Sequence, residues 1–491
     1  MRKARSQMDE FLEIMNRRRF LAASGTCLSC AGASGNVVES TVPADASVEV
    51  IAFSPVLADW VQHISRPWAR KNGPVKVRVG LPSGRLEKHQ FTLVPPRSLG
   101  SLASGLGKVP ASLLGRQEVA WTDVLPVWRD RLAKWRGDTL GVPVQGEIWV
   151  QVIRTDWLAD DGLQKAHQSA TGKTLKVPRL WEEWIELGTA LKGKLPGRPG
   201  APVLPPLPSA PEDQLRLLRQ VAACHAMERL AAGQKLRPGR EAENNHYALD
   251  FDLLTGKPKV AGKAFVHALE WMTRMAPLQP KQPEKKPWQA FARGESMVAL
   301  VPGSALSALQ RGPLRDRFDI HPLPGADKVF LEDGLLQAGQ GNSIPLVGSE
   351  GALALAGPEA SNEVWDLVGY LVQPKTQLDL VLDPDMGGPV REQHLQGAPW
   401  DGMQLDARRL AQWQNALRAT LSPAETINPA VALRTPDVEK LDELLARQVA
   451  HCLSGKGKPA ECLQLAADAW IELGKARPER LQEVRASAGL T

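Results

Sequence analysis

The chain has 491 residues and a formal net charge of +6, with 43% hydrophobic and 23% charged residues. This length exceeds one small core and predicts two α/β lobes, or two to three domains. The ordinary composition excludes a disordered chain, a collagen and a disulfide scaffold. Half of the net charge lies in residues 1–30, and no stripe of aromatic and basic residues follows, so no nucleic-acid partner is expected.

The N-terminus has the order of features of a twin-arginine export signal. Asn16–Leu21 contains the arginine run, and the stretch from Phe20 to Gly32 is uncharged. This stretch is too short and too polar for a spanning helix, which needs about 20 mostly apolar residues. Ala31-Gly32-Ala33 is a small-x-small cleavage site, so we predict a signal peptide over 1–33. The alternative is a basic amphipathic helix of a cytoplasmic protein.

Two cysteines lie inside this segment. Cys27 and Cys30 form a C-x-x-C pair, which is typical of redox sites, but their place in the signal argues against that interpretation. A lipid anchor on Cys30 is the better alternative to full cleavage. Lipidation usually has Leu three residues before the cysteine, whereas Leu28 is two before Cys30.

The first elements alternate between strand and helix patterns. Residues 48–53 form an apolar run ended by Ser54-Pro55, and apolar residues then recur at helical spacing from Leu57 to Trp68. Residues 75–79 alternate between Val and basic residues, as in a strand. This β-α-β order predicts parallel strands with a right-handed crossover. Residues 118–124 are predicted as a further strand, followed by a helix through Trp135.

The middle of the chain is rich in strands and then in helices. Val142 to Ile153 is a β-rich run interrupted by Gly146, and residues 181–191 form a strong helix pattern. Seven prolines in 193–211 predict a surface loop.

Two more helices are expected near 212–232 and 261–276. Residues 296–301 form a short strand that Pro302-Gly303 ends. Residues 319–357 are predicted as strands and loops, and helices dominate from Glu359 to the end.

No motif indicates catalysis or a cofactor. Thr171-Gly172-Lys173-Thr174 resembles the end of a phosphate loop, but position 167 is His where that loop needs Gly. Cys224, His225 and Glu228 share one predicted helix, and no further ligand completes a metal site. Asp383 and Asp385 fit a turn at a helix end. We therefore expect no catalytic residue, metal or cofactor.

Several segments together resemble the family 1 extracellular solute-binding proteins, the maltose-binding type of ABC importer component. Residues 140–147 resemble the family's G-x-P-x-x-x-E strand, which a Y-R-x-D-L-L-like segment follows at 152–158. Residues 177–184 resemble its P-P-K-T-W-E-E-F helix start, and 288–298 its A-F-x-x-G-E-A-A-M segment. Further similarities are at 323–325, at 388–391 and in the closing helix pair at 444–470.

The resemblance implies an α/β, two-lobe periplasmic-binding-protein fold with a hinge. One lobe is expected from 46–145 plus 300–345, and the other from 146–299 plus 350–400. Residues 401–491 are expected to form additional C-terminal helices packed on the lobes.

The resemblance also implies that the protein is not an enzyme. Such a protein captures a small ligand, a carbohydrate by family default, and delivers it to the permease subunits of an ABC importer. The predicted location is the periplasm, and the expected state is a monomer. The alternatives are a secreted enzyme and a ligand sensor or scavenger without a transport role.

The family pattern assigns five ligand-binding residues. Glu147 matches the family's cleft carboxylate, and Trp121, Trp149, Ser304 and Arg391 are expected to surround the ligand. Sugar-binding members place a Trp just after the second hinge strand, where this chain has Pro302-Gly303-Ser304.

The hinges are expected near Gly146 and Gly303, because glycine permits backbone rotation there.

Two cysteines near the C-terminus are candidates for a disulfide. Cys452 and Cys462 lie on two predicted helices joined by a Gly-Lys-Gly turn, so they face each other near the mouth of a helix hairpin. An exported protein meets an oxidising compartment in which this pair can close. The alternative is two free, partly buried thiols, and Cys224 remains unpaired in either case.

Overall fold

The computed structural model describes residues 47–491 with gaps at 83, 198–199, 231, 234–246, 281–283, 332–333, 383–386 and 396–404. The predicted signal peptide and the alternative anchor at Cys30 lie outside the described residues, as do Asp383 and Asp385. Within the described part of the chain, no helix has the length and apolar character needed to cross a membrane.

The strands, in chain order, are Val48–Ala52 (β1), Val75–Val79 (β2), Gln90–Val94 (β3), Lys134–Trp135 (β4), Asp138–Thr139 (β5), Gly141–Gln145 (β6), Trp149–Arg154 (β7), Val298–Pro302 (β8), Phe318–His321 (β9), Ala326–Leu331 (β10), Gly334–Asn342 (β11), Leu346–Val347 (β12), Ala352–Ala356 (β13) and Ala430–Val431 (β14).

The α-helices are Pro55–Ile64 (α1), Arg66–Asn72 (α2), Leu99–Leu102 (α3), Ala111–Leu114 (α4), Thr155–Leu158 (α5), Asp161–Thr171 (α6), Trp181–Ala190 (α7), Pro211–Ala226 (α8), Lys263–Met275 (α9), Trp288–Ala292 (α10), Leu306–Arg311 (α11), Asn362–Leu371 (α12), Pro374–Leu382 (α13), Ala407–Leu421 (α14), Val438–Leu453 (α15), Pro459–Lys475 (α16) and Arg480–Ser487 (α17).

The first lobe is built on a five-stranded sheet in the order β2-β1-β3-β13-β6. β1 pairs in parallel with β2 and β3, which confirms the predicted β-α-β run. α1 begins where expected, because the Ser54 hydroxyl accepts a hydrogen bond from the Leu57 N–H at 3.2 Å and Pro55 occupies the first turn. β13 returns late in the chain and runs antiparallel between β3 and β6.

The second lobe is built on a three-stranded antiparallel sheet in the order β8-β7-β9. Helices α7, α8 and α9 pack together beside it. Three buried indoles, those of Trp181, Trp184 and Trp271, lie with ring centroids 5.3–6.4 Å apart. These rings bury a large apolar area and fix the position of α7 against α9.

The sheets divide the chain differently from the predicted lobes. The predicted segment 300–345 was expected in the first lobe, but β9 at 318–321 pairs with β7 of the second. The predicted segment 350–400 was expected in the second lobe, but β13 at 352–356 lies inside the first sheet. The strand pairing that decides this is between residues far apart in the chain, so local patterns do not reveal it.

The strand predicted at 118–124 is wrong. Residues 117–119 and 121–123 instead form two short 3-10 turns, separated by Ala120 in the left-handed conformation with φ of 46°. The helix predicted through Trp135 is a π-helix over Val127–Leu132, after which Lys134–Trp135 is extended.

The C-terminal helices contact both lobes. α15 and α16 pack on α8 and α9 of the second lobe. Arg97, which follows β3 of the first lobe, donates to Asp442 of α15 at 2.6 Å. Asp442 also accepts from Arg219 of α8 at 2.6 Å, and Arg219 donates to the buried Asp250 at 2.7 Å. A chain of alternating charges therefore links the first lobe to α15 and the second lobe.

Arg434 makes a second link to the first lobe. Its side chain is fully buried and forms no ion pair in the described structure. The guanidinium donates to the carbonyls of Leu132 at 2.7 Å, Arg131 at 3.0 Å and Ser487 at 2.8 Å. It thus joins the end of the π-helix to α17 at the C-terminus.

The predicted disulfide between Cys452 and Cys462 is not formed in the structure. Both residues, like Cys224, are free and buried. The two thiols are neighbours, and burial together with the adjacent Cys452 raises the pKa of the Cys462 thiol. Cys452 also contacts the Thr273 hydroxyl of α9, at 3.8 Å, so it packs into the core as a thiol.

We expect Arg434→Ala to lower the free energy of unfolding by about 3–5 kcal/mol, because it leaves several buried carbonyls without a donor. Urea denaturation of the full chain measures this. Arg408→Ala is the control: this exposed side chain pairs with Asp319 at 2.7 Å, and its loss should cost about 1 kcal/mol or less. Equal effects of the two substitutions would contradict the role given to Arg434.

Candidate ligand-binding cavity

The chain passes from the first sheet to the second between β6 and β7, and it re-enters the first sheet at β13. It does not cross at Gly303, because β8 and β9 both belong to the second sheet. Residues 146–148 connect β6 to β7, residues 303–305 follow β8 in a 3-10 turn, and residues 348–351 lie between β12 and β13. The Gly303 N–H donates to the Ile148 carbonyl at 2.9 Å, which brings the first two segments together.

Gly146 and Gly303, the predicted hinge glycines, lie in this region and are tightly packed. A Cβ atom on Gly146 would lie 2.6 Å from the Pro389 carbonyl oxygen. A Cβ atom on Gly303 would lie 2.6 Å from the Trp413 ring. Close approach of neighbouring atoms, rather than a left-handed backbone, therefore requires glycine at both positions.

A cavity of about 570 Å³ opens beside these crossings. Most of its lining comes from the second lobe, and Val56 contributes from α1 of the first lobe. The charged and polar lining residues are Glu147, Asp213, Arg216, Gln220, Gln279, Lys285, Lys286, Gln289, Ser304, Ser349 and Glu350. This volume is within the range of about 300–1,000 Å³ typical of small-molecule sites.

Among the acids that line the cavity, Glu147 has the most strongly shifted pKa. Its Oε1 accepts from the Ile148 N–H at 3.1 Å, and its Oε2 from the Ser304 hydroxyl at 3.3 Å. Burial, and secondly the negative charge of Glu350, raise the pKa of Glu147 to about 8. At neutral pH this carboxyl is therefore mainly protonated and can both donate and accept hydrogen bonds.

Arg216 of α8 holds the other charged groups together. Its guanidinium pairs with Glu350, and also with Asp213 one turn earlier at 2.8 Å. It lies over the Trp149 ring, 3.6 Å from the centroid, as a cation–π contact. Trp149 Nε1 donates to Glu350 at 3.0 Å. Glu350 is thereby tied to two elements of the second lobe although the strand that follows it belongs to the first.

The rest of the wall is apolar. It is formed by aromatic, aliphatic and proline side chains of the second lobe, namely Trp184, Pro205, Pro206, Leu207, Pro208, Leu217, Trp271, Met275, Trp288, Leu300, Leu323 and Leu346. The predicted proline-rich loop thus contributes directly to the cavity through residues 205–208.

The structure brings three of the five predicted ligand residues together. Glu147, Trp149 and Ser304 line the cavity. Trp121 does not line it, and packs half-buried against the core.

The position expected for Arg391 is wrong, because this residue is buried in the first lobe. Its guanidinium donates to the carbonyls of Ala120 at 2.9 Å and Val119 at 2.8 Å, and contacts Asp123 at 3.4 Å. These partners belong to the turns around residue 120. Arg391 also donates to Gln377 Oε1 and to the Val372 carbonyl, so it joins those turns to the end of α12 and to α13 and does not reach the cavity.

The sequence analysis missed Arg216 and Glu350. The two are 134 residues apart in the chain, and neither lies in a motif. The one available signal was the spacing of Asp213, Arg216 and Gln220, which places three polar groups on one face of the helix.

His225, which the sequence placed beside Cys224, packs against His267 with ring centroids 4.4 Å apart. Burial and the neighbouring His267 lower the pKa of His225 to about 4. Among the residues that the structure describes, no group of three His, Cys, Asp or Glu side chains has metal-binding geometry.

The fold is that of maltose-binding-type solute-binding proteins of ABC transporters, as the sequence analysis predicted. T. maritima MalE3 with maltose bound superposes with a TM-score of 0.61 at 14% identity, over 87% of this chain and 99% of that one. The sugar-binding protein MalE from Xanthomonas citri gives 0.60 at 16% identity, over 88% and 98%.

A third similar structure is an ABC transporter solute-binding protein from Agrobacterium radiobacter in complex with ribitol, with a TM-score of 0.57 at 14% identity, over 87% and 99%. No protein-family model matches the sequence. The comparison with curated proteins likewise finds no match.

We expect Glu147→Gln to stabilise the protein in a pH-dependent way. The pKa of Glu147 in the folded protein, about 8, is above its ordinary value of 4.5, so the wild type loses stability as the pH rises from about 4.5 towards 8. The melting temperatures of wild type and variant should nearly agree at pH 5, and the variant should melt higher at pH 9.

The control is Glu359→Gln at a side chain that is 77% exposed. Its effect on the melting temperature should not grow with pH as that of Glu147→Gln does. A constant difference between wild type and Glu147→Gln from pH 5 to 9 would show that Glu147 titrates like an exposed carboxyl.

Proposed function

We propose that this protein captures a small hydroxylated solute, a sugar or a polyol, between its two lobes for an ABC importer. The observation that carries this proposal is the position of the cavity. It lies at the chain crossings of a two-lobe fold, and an aromatic ring, a neutral carboxyl and a hydroxyl converge there.

The chemistry of the cavity supports a neutral, hydroxyl-bearing ligand. Protonated Glu147 and the Ser304 hydroxyl can each donate to and accept from a ligand hydroxyl. The three acids nearest the crossings already share Arg216, or carry a proton, at neutral pH. A cationic ligand would have to break these pairs or remain unpaired itself, which costs free energy. An anionic ligand is the competing class, because Lys285 and Lys286 also line the cavity.

Capture requires the lobes to rotate about their connections, and the proposed hinge is the crossing at 146–148 together with the segment 348–351 that leads back into β13. Gly146 lies in this crossing, and the Gly303 N–H donates to the Ile148 carbonyl beside it. Val56 of α1 is the part of the first lobe that already lines the cavity, so closure would bring more of that lobe over the ligand and exclude water.

We place the protein outside the cytoplasmic membrane, where permease subunits of an importer are its partners. Support comes from the predicted signal at 1–33 and from the ABC solute-binding proteins that share the fold. Replacing Arg17 and Arg18 with Lys should retain the protein in the cytoplasm, as cell fractionation would show. A protein exported normally after this change would exclude the twin-arginine route.

A panel of sugars, polyols and amino acids tests which solute the protein binds. The panel includes maltose and ribitol, the ligands of two proteins with this fold. We expect at least one sugar or polyol to raise the melting temperature, and to be recovered unchanged after incubation. If only amino acids bind, or if the bound compound is converted, the proposal is wrong.

For the solute that binds, Trp149→Ala should weaken binding at least about tenfold, because the ring and its hold on Glu350 are lost. Isothermal titration calorimetry measures this. Trp121→Ala is the matched control, since that ring is outside the cavity. Similar losses in both variants would place the binding site elsewhere.

A further inference from the structure

We infer that the preferred ligand is amphipathic: a hydroxylated head at the crossings joined to an apolar group, such as an aryl substituent, against the wall of the second lobe. An aryl glycoside has this chemistry. The inference rests on the proposed function and specifies which solute class that cavity prefers.

The polar atoms of three wall side chains, those of Trp184, Trp271 and Gln220, are already used by the protein. Gln279, by contrast, has a buried amide nitrogen without a hydrogen-bond partner in the described structure. Trp184 Nε1 donates to Gln151 at 2.6 Å, and Trp271 Nε1 donates to the Trp181 carbonyl at 2.7 Å. The Gln220 amide donates to the Ile344 carbonyl at 2.8 Å and accepts from the Leu346 N–H at 3.1 Å.

These side chains therefore present carbon to the cavity. Leu217, Met275, Leu300 and Leu323 continue the same surface. A second sugar ring placed there would bury hydroxyls with few partners, and each unpaired buried hydroxyl costs about 1–3 kcal/mol. An apolar group placed there leaves no hydrogen-bonding group unpaired, and its burial is favourable.

Few polar groups of the connecting segments are free to bind a ligand. Glu147 and Ser304 form one side, and Glu350 is already held by Arg216 and Trp149. One face of the Trp149 ring is covered by the Arg216 guanidinium and cannot stack on a sugar. This part of the cavity suits a single hydroxylated ring, whereas the volume of about 570 Å³ admits a larger ligand.

The experiment compares matched ligands on the full-length exported protein by calorimetry. Methyl and phenyl glycosides of glucose, galactose and mannose share a head and differ in the apolar group, and maltose is the polar ligand of comparable size. For the best head, we expect the phenyl glycoside to bind at least about tenfold more tightly than the methyl glycoside.

Two wall variants test where the phenyl group lies. Met275→Gln and the half-buried Leu300→Thr should each reduce the phenyl-to-methyl affinity ratio at least about threefold. Leu465→Thr, at a leucine that is 56% exposed, is the control. Because the ratio is measured within each variant, partial loss of folded protein does not change it.

The outcomes separate this inference from the proposed function. Equal binding of phenyl and methyl glycosides, or tighter binding of maltose, overturns the amphipathic ligand and leaves solute capture intact. A phenyl preference that both wall variants retain also overturns it. If no glycoside, sugar or polyol binds, the proposed function fails and the inference fails with it.

Discussion

The site depends on one constraint: the backbone passes between two sheets at neighbouring points, and charged groups are buried there. Glu147 lies two residues after the end of β6 and Glu350 lies two residues before the start of β13, so strands of the first lobe position both acids. One arginine on a helix of the second lobe compensates them. The cost of burying two carboxyls near each other is met by a proton on one and an ion pair on the other.

This arrangement also explains why the cavity is polar at one end and apolar at the other. Several groups that can bind a ligand lie on the connecting segments, where the strand ladders end and side chains are free of sheet packing. The opposite wall is the surface of a helical core whose indole N–H groups are satisfied internally. The connecting segments contribute Glu147, Ser304 and Glu350. The second lobe contributes the apolar wall and further polar groups such as Arg216, Gln279 and Lys286.

Much of the fold was predictable from local patterns. The β-α-β start, the break at Gly146 and the helices of the second lobe follow from apolar periodicity and from Ser, Pro and Gly signals. The lobe boundaries were not predictable in this way, because long-range pairing decides the place of β13 between β3 and β6. Residues 118–124 look like a strand in composition, and the left-handed Ala120 has no signal in the sequence.

The candidate site was predicted only in part, and contacts between distant residues are again the reason. Glu147 and Trp149 lie in a continuous β-rich segment that a family pattern identifies. Arg391 lies in a segment that resembles the family pattern. Its environment depends on the turns at 117–123, which were predicted as a strand. Arg216 and Glu350 meet only through tertiary structure.

The contact of Arg434 with the Leu132 carbonyl spans 302 residues of sequence, and its partner Ser487 is four residues from the last residue, Thr491. During synthesis from the N-terminus, the segment at 131–134 must therefore wait for nearly the whole chain before it finds this partner. Contacts of such separation pay a large loop-closure entropy and form late. The segment at 131–134 therefore gains these hydrogen bonds in a late step of folding.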